Sequence, residues 1–149
     1  MITKILDAFS QLGFKLEEVE EVGYSFEYEG SDFLYMVNVQ NPEFLTIAVP
    51  GFYECDEAEK SALYVLEDKF NAALRYVKIY TIGGALWLFY ERELLEEDNP
   101  AQVISHMICH LEFALSYIRR TLEGADTETG NTVSAIEEPE AKDETDTDE

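Results

Sequence analysis

Basic residues are scarce in this chain, and their scarcity excludes several classes of partner. The 149 residues include ten Lys and Arg against 32 Asp and Glu, which gives a formal net charge of −22. Such a charge repels the phosphate backbone of nucleic acids and the anionic surface of membranes at long range. We therefore expect neither a nucleic-acid partner nor a membrane partner, whereas a basic protein would be attracted.

Cysteines and long apolar runs are also few. Cys55 and Cys109 are the only cysteines, too few for the disulfide framework of a small secreted domain. No stretch approaches the roughly 20 apolar residues of a bilayer-spanning helix. The first residues, MITKILDAFSQLG, place Asp7 where a secretory signal has a continuous apolar run. These features predict a cytoplasmic protein.

Catalytic motifs are missing from the sequence as well. The stretch IGGA at 82–85 resembles a hairpin turn and precedes a strand pattern, so it is no phosphate-binding loop. Carboxylates are so numerous that pairs of them arise from composition alone. Cys55 and a histidine would supply a nucleophile and a base, yet nothing in the sequence brings them together. We expect a protein that is not an enzyme and uses no cofactor.

Apolar residues, by contrast, are plentiful enough for the core of one domain, at 46% of the chain. Three segments carry them at helical spacing. The first covers residues 2–12. The second follows Asp56, a predicted N-cap with Glu59 three residues later, and the third begins at Pro100. The apolar stripe of the third helix is the longest: Ile104, Met107, Ile108, Leu111, Leu115, Ile118 and Leu122.

Alternation of period two predicts three consecutive strands, at residues 24–28, 33–40 and 44–50. Pro50 and Gly51 are predicted to end the third strand, because proline cannot donate to a sheet ladder. Gly83 and Gly84 predict the turn of a later hairpin. The order α-β-β-β-α-β-β-α predicts an α+β fold, with a five-stranded antiparallel sheet and helices packed mainly on one face.

The end of the chain differs from the rest in composition. Residues 125–149 contain ten acidic residues and one lysine, and Val133 and Ile136 are their only sizeable apolar residues. Such a segment cannot offset the entropy lost on ordering. The sequence predicts a folded domain at residues 1–124 and a disordered acidic tail at 125–149. The tail would act as a solubilising segment or, alternatively, dock a basic partner.

Four aromatic residues are candidates for binding a partner. Trp87 and Phe89 fall on one face of a predicted strand whose opposite face is also apolar, although only one face can meet the helices. An exposed apolar patch marks an interface, unless the third helix or a loop covers it. Phe52 and Tyr53 follow the predicted strand exit, where aromatics suit an interface. Core packing against the second helix is the alternative for this second pair.

The sharpest chemical hypothesis concerns the stretch HMICH at residues 106–110. His106 and His110 are four residues apart on one helical face, as metal ligands often are, and Cys109 is adjacent. The zinc-protease pattern requires glutamate after the first histidine, where Met107 stands. A closed site would also need a distant ligand. The other interpretation places the two histidines at a helix edge or an interface.

Several short stretches resemble the YbjN family. They are LGF at 12–14, YEG at 28–30, NPEFLTIAVPGF at 41–52, and the helix-to-strand passage KFNAALRYVKIY at 69–80, which contains Asn71. The resemblance covers about residues 1–122. It implies a domain similar to type III secretion chaperones, which bind extended segments of partner proteins and often dimerise. The family brings no catalytic motif to carry over.

Three functional hypotheses follow from these observations. The leading one is a non-catalytic interaction module, chaperone-like or regulatory, that binds a partner protein or a second copy of itself through an apolar sheet face or a helix edge. The first alternative is an acidic decoy for a basic protein. The second alternative is a small metal- or ligand-binding domain that uses His106, Cys109 and His110.

Overall fold

The computed structural model of the protein describes residues 1–125. The predicted acidic tail lies outside the described residues, apart from Ala125. The elements are α1 Ile2–Gln11, β1 Glu17–Val19, β2 Gly23–Tyr28, β3 Ser31–Met36, β4 Phe44–Glu54, α2 Lys60–Ala73, β5 Val77–Ile82, β6 Ala85–Glu93 and α3 Pro100–Ala125, with a 3-10 turn at Glu57–Glu59 before α2.

All the strands of this region form one antiparallel sheet in the order β1-β2-β3-β4-β6-β5. The α+β class is therefore confirmed, but the predicted count of five strands is wrong, because the sheet has six. The additional strand is β1, whose three residues are all exposed. With no buried residue to alternate with the exposed ones, it carries no periodic signal.

The third predicted strand does not end at Pro50. It continues as β4 to Glu54 through a bulge, in which residues 50–52 lie opposite the single residue Trp87 of β6. Proline is tolerated there because β3 pairs with β4 only from Thr46 to Ala48, so the N–H that proline lacks has no β3 partner to meet. The second predicted strand is shorter than expected, since β3 ends at Met36.

The local signals at the second helix and the late hairpin are confirmed. Asp56 and Glu59 form a capping box at the start of the 3-10 turn that precedes α2. Gly83 and Gly84 both have positive φ, at 58° and 83°, between β5 and β6. Glycine adopts these values without the steric cost that other residues meet.

The main core lies between one face of the sheet and the three helices. The predicted stripe of α3 is buried in it, except that Leu122 is half-buried. Helix α1 adds Ile5 and Phe9, and α2 adds Leu63 and Phe70. Side chains from alternate strand positions complete it: Phe33, Tyr35, Leu45, Ile47, Val49, Val77, Ile79, Leu86, Leu88 and Tyr90.

Gly23, at the start of β2, is required by a close backbone contact. A Cβ atom at this position would lie 1.9 Å from the carbonyl oxygen of Tyr35 on β3. No side-chain rotation relieves such an overlap, because both groups belong to paired strands. The contact explains why the sheet tolerates glycine here, although glycine weakens a strand elsewhere.

We predict that Gly23→Ala lowers the free energy of unfolding by about 3 kcal/mol, because β2 must move away from β3. Urea denaturation monitored by circular dichroism measures the change. Gly124→Ala is the matched control, since a Cβ added there meets no described atom within 4 Å beyond its chain neighbours and the backbone of its own helical turns. The control should be neutral or slightly stabilising in α3, and equal losses in the two variants would contradict the steric explanation.

Tyr35 is the largest fully buried side chain of the core, with its ring against Phe9 at 5.4 Å and Tyr24 at 6.1 Å between centroids. Burial, followed by the nearby Tyr24, raises the pKa of Tyr35 to about 12. Its ionised form is therefore disfavoured in the native protein. Below pH 10 the hydroxyl is protonated in both the native and the unfolded chain, so it adds no pH dependence there.

Above the ordinary tyrosine pKa, the unfolded chain releases this proton while the native chain retains it. We predict that Tyr35 makes the free energy of unfolding fall between about pH 10 and pH 12, by at most about 3 kcal/mol. Urea denaturation of the wild type and of Tyr35→Phe, at about pH 9 and about pH 11, measures the difference. The variant should lose less stability over this interval, and equal losses would refute the assignment.

Candidate functional site

The face of the sheet opposite the helices, here called the outer face, carries a second apolar cluster. Leu34, Ala48 and Phe89 are buried in it, and Val22, Met36 and Trp87 pack around them. The three buried residues lie in register across β3, β4 and β6, because Leu34 pairs with Ala48 and Ala48 pairs with Phe89. No described helix contributes a residue to this cluster.

A stack of three aromatic rings extends the cluster toward the edge of the sheet. Phe89 stacks on Trp87 at 5.8 Å and on Tyr80 at 4.8 Å, with an angle of 16° between ring planes in each pair. Tyr80 is 44% exposed. Offset stacks of this kind add to the stability that burial provides and hold the rings in fixed positions. The outer face therefore presents a preorganised aromatic surface.

Beside the stack, a groove of about 450 Å³ opens on the same face. Its floor comes from β4, β5 and β6 and one wall from the connection between β3 and β4, where Val39 is 80% exposed. The charged residues that line it are Lys78 and Glu91, and the hydroxyl of Thr46 donates to Glu91 at 2.8 Å. The groove is thus nearly neutral within a strongly acidic protein.

The four predicted partner-binding residues divide between the two faces of the sheet. Trp87 and Phe89 lie on the outer face. Phe52 and Tyr53 are half-buried and pack against the main core, which is the alternative that the sequence left open for them. The hydroxyl of Tyr53 also lies 3.4 Å from a carboxylate oxygen of Glu59. The structure therefore does not bring the four residues together into one surface.

The two histidines lie side by side at one edge of α3. Their ring centroids are 4.2 Å apart, and Nδ1 of His110 lies 3.1 Å from the carbonyl oxygen of His106. Tyr76 packs edge-on against His110 at 4.8 Å and stacks on Tyr90 with an angle of 3° between planes. This cluster of four rings lies where α3 meets the sheet.

Tyr76 is the member of this cluster that the sequence did not indicate. Its φ is +73°, a left-handed conformation that is costly for a bulky residue. Tyr76 lines the outer groove together with Lys78, while its ring stacks on core-facing Tyr90. No sequence pattern marks a tyrosine for this conformation. The ring contacts offset the backbone strain, because each aromatic pair contributes about 1 kcal/mol.

Cys109 is turned away from the histidines. It is exposed and lies near Tyr28 of β2. The pKa of Tyr28 is raised, first by burial and then by its proximity to Cys109, Glu29 and Glu112. Within residues 1–125, no group of three or more His, Cys, Asp or Glu residues is placed to hold a metal ion. His106, Cys109 and His110 do not converge on one point.

Comparison with family models and curated proteins does not assign the chain to a family. The chain matches no model of a known protein family and no curated protein. The resemblance to the YbjN family therefore stays a prediction. Within residues 1–125, no helix has the length and apolar character that crossing a bilayer requires.

The arrangement of His106, Cys109 and His110 predicts that they do not form a stoichiometric zinc site. Two imidazoles on one helix leave at least two positions of a closed tetrahedral site without protein ligands. The protein should retain well below one equivalent of zinc after dialysis, as measured by atomic emission. The double variant His106→Ala, His110→Ala should retain the same amount. One equivalent that disappears in the double variant would overturn this interpretation.

Proposed function

We propose that this protein is a non-catalytic interaction module that binds a segment of a partner protein on the outer face of its sheet. The observation that carries the proposal is the groove beside the outer cluster, where the apolar side chains of Tyr80 and Val39 are 44% and 80% exposed on the face that receives no described helix residue. Exposed apolar residues that line a groove are typical of a protein-binding surface. The aromatic rings of Trp87, Phe89 and Tyr80 belong to residue types enriched at binding hot spots.

The charge of the protein defines the chemistry of this partner. With a net charge of −22, the chain attracts a basic protein and repels a second acidic copy at long range. The groove itself is nearly neutral, so its occupant would insert an apolar or aromatic side chain. Lysine or arginine residues flanking that side chain would meet the acidic surroundings. The partner is therefore a basic protein segment with an apolar anchor.

The predicted resemblance to the YbjN family supports the same proposal from another direction. Chaperones of the fold that the resemblance implies bind extended segments of their partners, and the outer groove offers a place for such a segment. Fold alone does not fix function, so this support is an analogy. The groove and its apolar cluster supply the physical part of the argument.

A second candidate function is favoured by the charge alone. An acidic decoy would bind a basic protein through many dispersed carboxylates and would not depend on the outer face. Interactions between exposed charges are screened as salt rises. Binding through an apolar surface is much less sensitive to salt, so the two functions differ in a measurable way.

The experiment captures binding proteins from a lysate of the source cells with the full-length chain and compares two charge-matched variants. Met36→Glu places a carboxylate in the outer cluster, whereas Val65→Glu places one on α2, where Val65 is 57% exposed. We expect Met36→Glu to weaken the captured interaction at least about tenfold, which corresponds to about 1.4 kcal/mol. Val65→Glu should leave it unchanged.

Two further measurements distinguish the two candidate functions. Trp87 is the only tryptophan of the chain, so its fluorescence should change when the purified partner covers the outer face. Retention of the partner at about 0.5 M salt indicates that apolar contacts carry the binding. Loss there indicates the acidic decoy only if Met36→Glu also binds as the wild type does, because the basic residues of the proposed partner are themselves sensitive to salt. Equal binding by Met36→Glu and the wild type would refute the proposed surface.

A further inference from the structure

A side chain makes hydrogen bonds to the backbone of β5 at the edge of the sheet, in the way that a neighbouring strand would. The amide nitrogen Nδ2 of Asn71, on α2, donates to the carbonyl oxygen of Ile79 at 2.9 Å. The backbone N–H of Ile79 in turn donates to Oδ1 of Asn71 at 2.9 Å. Two residues of antiparallel strands exchange the same pair of bonds. One carboxamide thus takes the place of one residue of an added strand.

This contact lies in the middle of β5, on the side that pairs with no other described strand. β5 is the last strand of the sheet, and its other side pairs with β6. Because successive peptide groups of a strand point in opposite directions, the backbones of Val77 and Thr81 face the same way as that of Ile79. Helix α2 contacts this edge a second time, where the hydroxyl of Thr81 donates to Glu67. Unprotected sheet edges invite pairing with another chain, and the contacts of α2 protect the β5 edge from such pairing.

Apolar side chains are unusually exposed around the same edge. On β5, Tyr80 and Ile82 are 44% and 42% exposed, and on α2, Tyr64 and Val65 are at least half exposed. A shallow groove runs between the two elements. Neither the main core nor the outer cluster buries these side chains in full. Their exposure is what a surface used for pairing would show.

The charges at this edge are complementary to each other. Residues 69–90 contain Lys69, Arg75 and Lys78 and no acidic residue, in a chain with 32 acidic residues. The adjacent groove is lined by Glu67 and Asp68 of α2 and by Lys78 of β5. A second copy that approaches through its own β5 therefore brings its Lys78 toward Glu67 and Asp68. The local attraction opposes the repulsion that the net charge creates.

We propose that Asn71 is a gate on the β5 edge, and that the strand it excludes is β5 of a second copy of this chain. With Asn71 in place, the edge is closed and the protein is monomeric. When the carboxamide leaves Ile79, two β5 strands pair antiparallel and join two sheets into one. This edge shares Tyr80 and Lys78 with the outer groove, but the proposed pairing uses the backbone of β5 and does not depend on the function proposed for the outer face.

The test compares the association of full-length wild type and Asn71→Ala by sedimentation equilibrium. We expect the variant to dimerise with a dissociation constant at least tenfold lower than that of the wild type. Asn99→Ala is the matched control, because the Asn99 side chain accepts a hydrogen bond from the N–H of Gln102 at the start of α3, and Asn99 lines neither groove beside β5. The control should associate no more than the wild type.

Two more variants show whether the edge itself is responsible. Ile82→Lys places a charge beside the edge, and charges on an edge strand oppose pairing. The double variant Asn71→Ala, Ile82→Lys should therefore return to the monomer. Asn71→Leu has a similar size but neither donor nor acceptor, so it provides a second opened edge if Asn71→Ala fails to fold, as judged by circular dichroism.

The proposal is overturned if a folded Asn71→Ala or Asn71→Leu variant remains monomeric. It is also overturned if the dimer of Asn71→Ala persists unchanged when Ile82→Lys is added. In either case, the two bonds of Asn71 would serve only to fasten α2 to the sheet.

Discussion

The pairing of β4 with β6 joins the two halves of the chain, and the rest of the structure depends on it. These strands are about 40 residues apart in sequence, yet eight residue pairs connect them from Phe44–Glu93 to Glu54–Ala85. Their inward residues, such as Ile47 and Leu88, form the centre of the main core. Their outward residues, Ala48 and Phe89, form the centre of the outer cluster. Without this pairing neither face would have a continuous apolar surface.

The elements that were predicted well are those whose sequence carries a local signal. The stripe of α3 has helical spacing over its whole length, and Gly83 and Gly84 have the backbone freedom that their turn requires. The alternation in β6 separates Leu88 from Phe89 without knowledge of any neighbour. In these segments the preference of each residue agrees with the tertiary structure, so sequence patterns suffice.

The features that sequence patterns missed depend on distant parts of the chain. β1 exists because β2 offers it an edge, and its exposed residues have no pattern of their own. Pro50 lies inside a strand because β3 has already stopped pairing with β4. The alternation in β6 correctly placed Trp87 and Phe89 on the same face of the sheet. The position of Phe52 could not be predicted in this way, because it depends on the bulge in β4. The role of Asn71 is visible only when Ile79 lies beside it.

The bulge in β4 has a consequence for changes in chain length. Three residues of β4 stand opposite one residue of β6, so the bulge adds an even number of residues. Val49 and Tyr53, on either side of it, therefore both face the core. Removing two residues would restore a regular ladder and leave every side chain on its present face. Removing one would exchange the two faces beyond that point. Insertions and deletions in this strand should therefore be tolerated in steps of two.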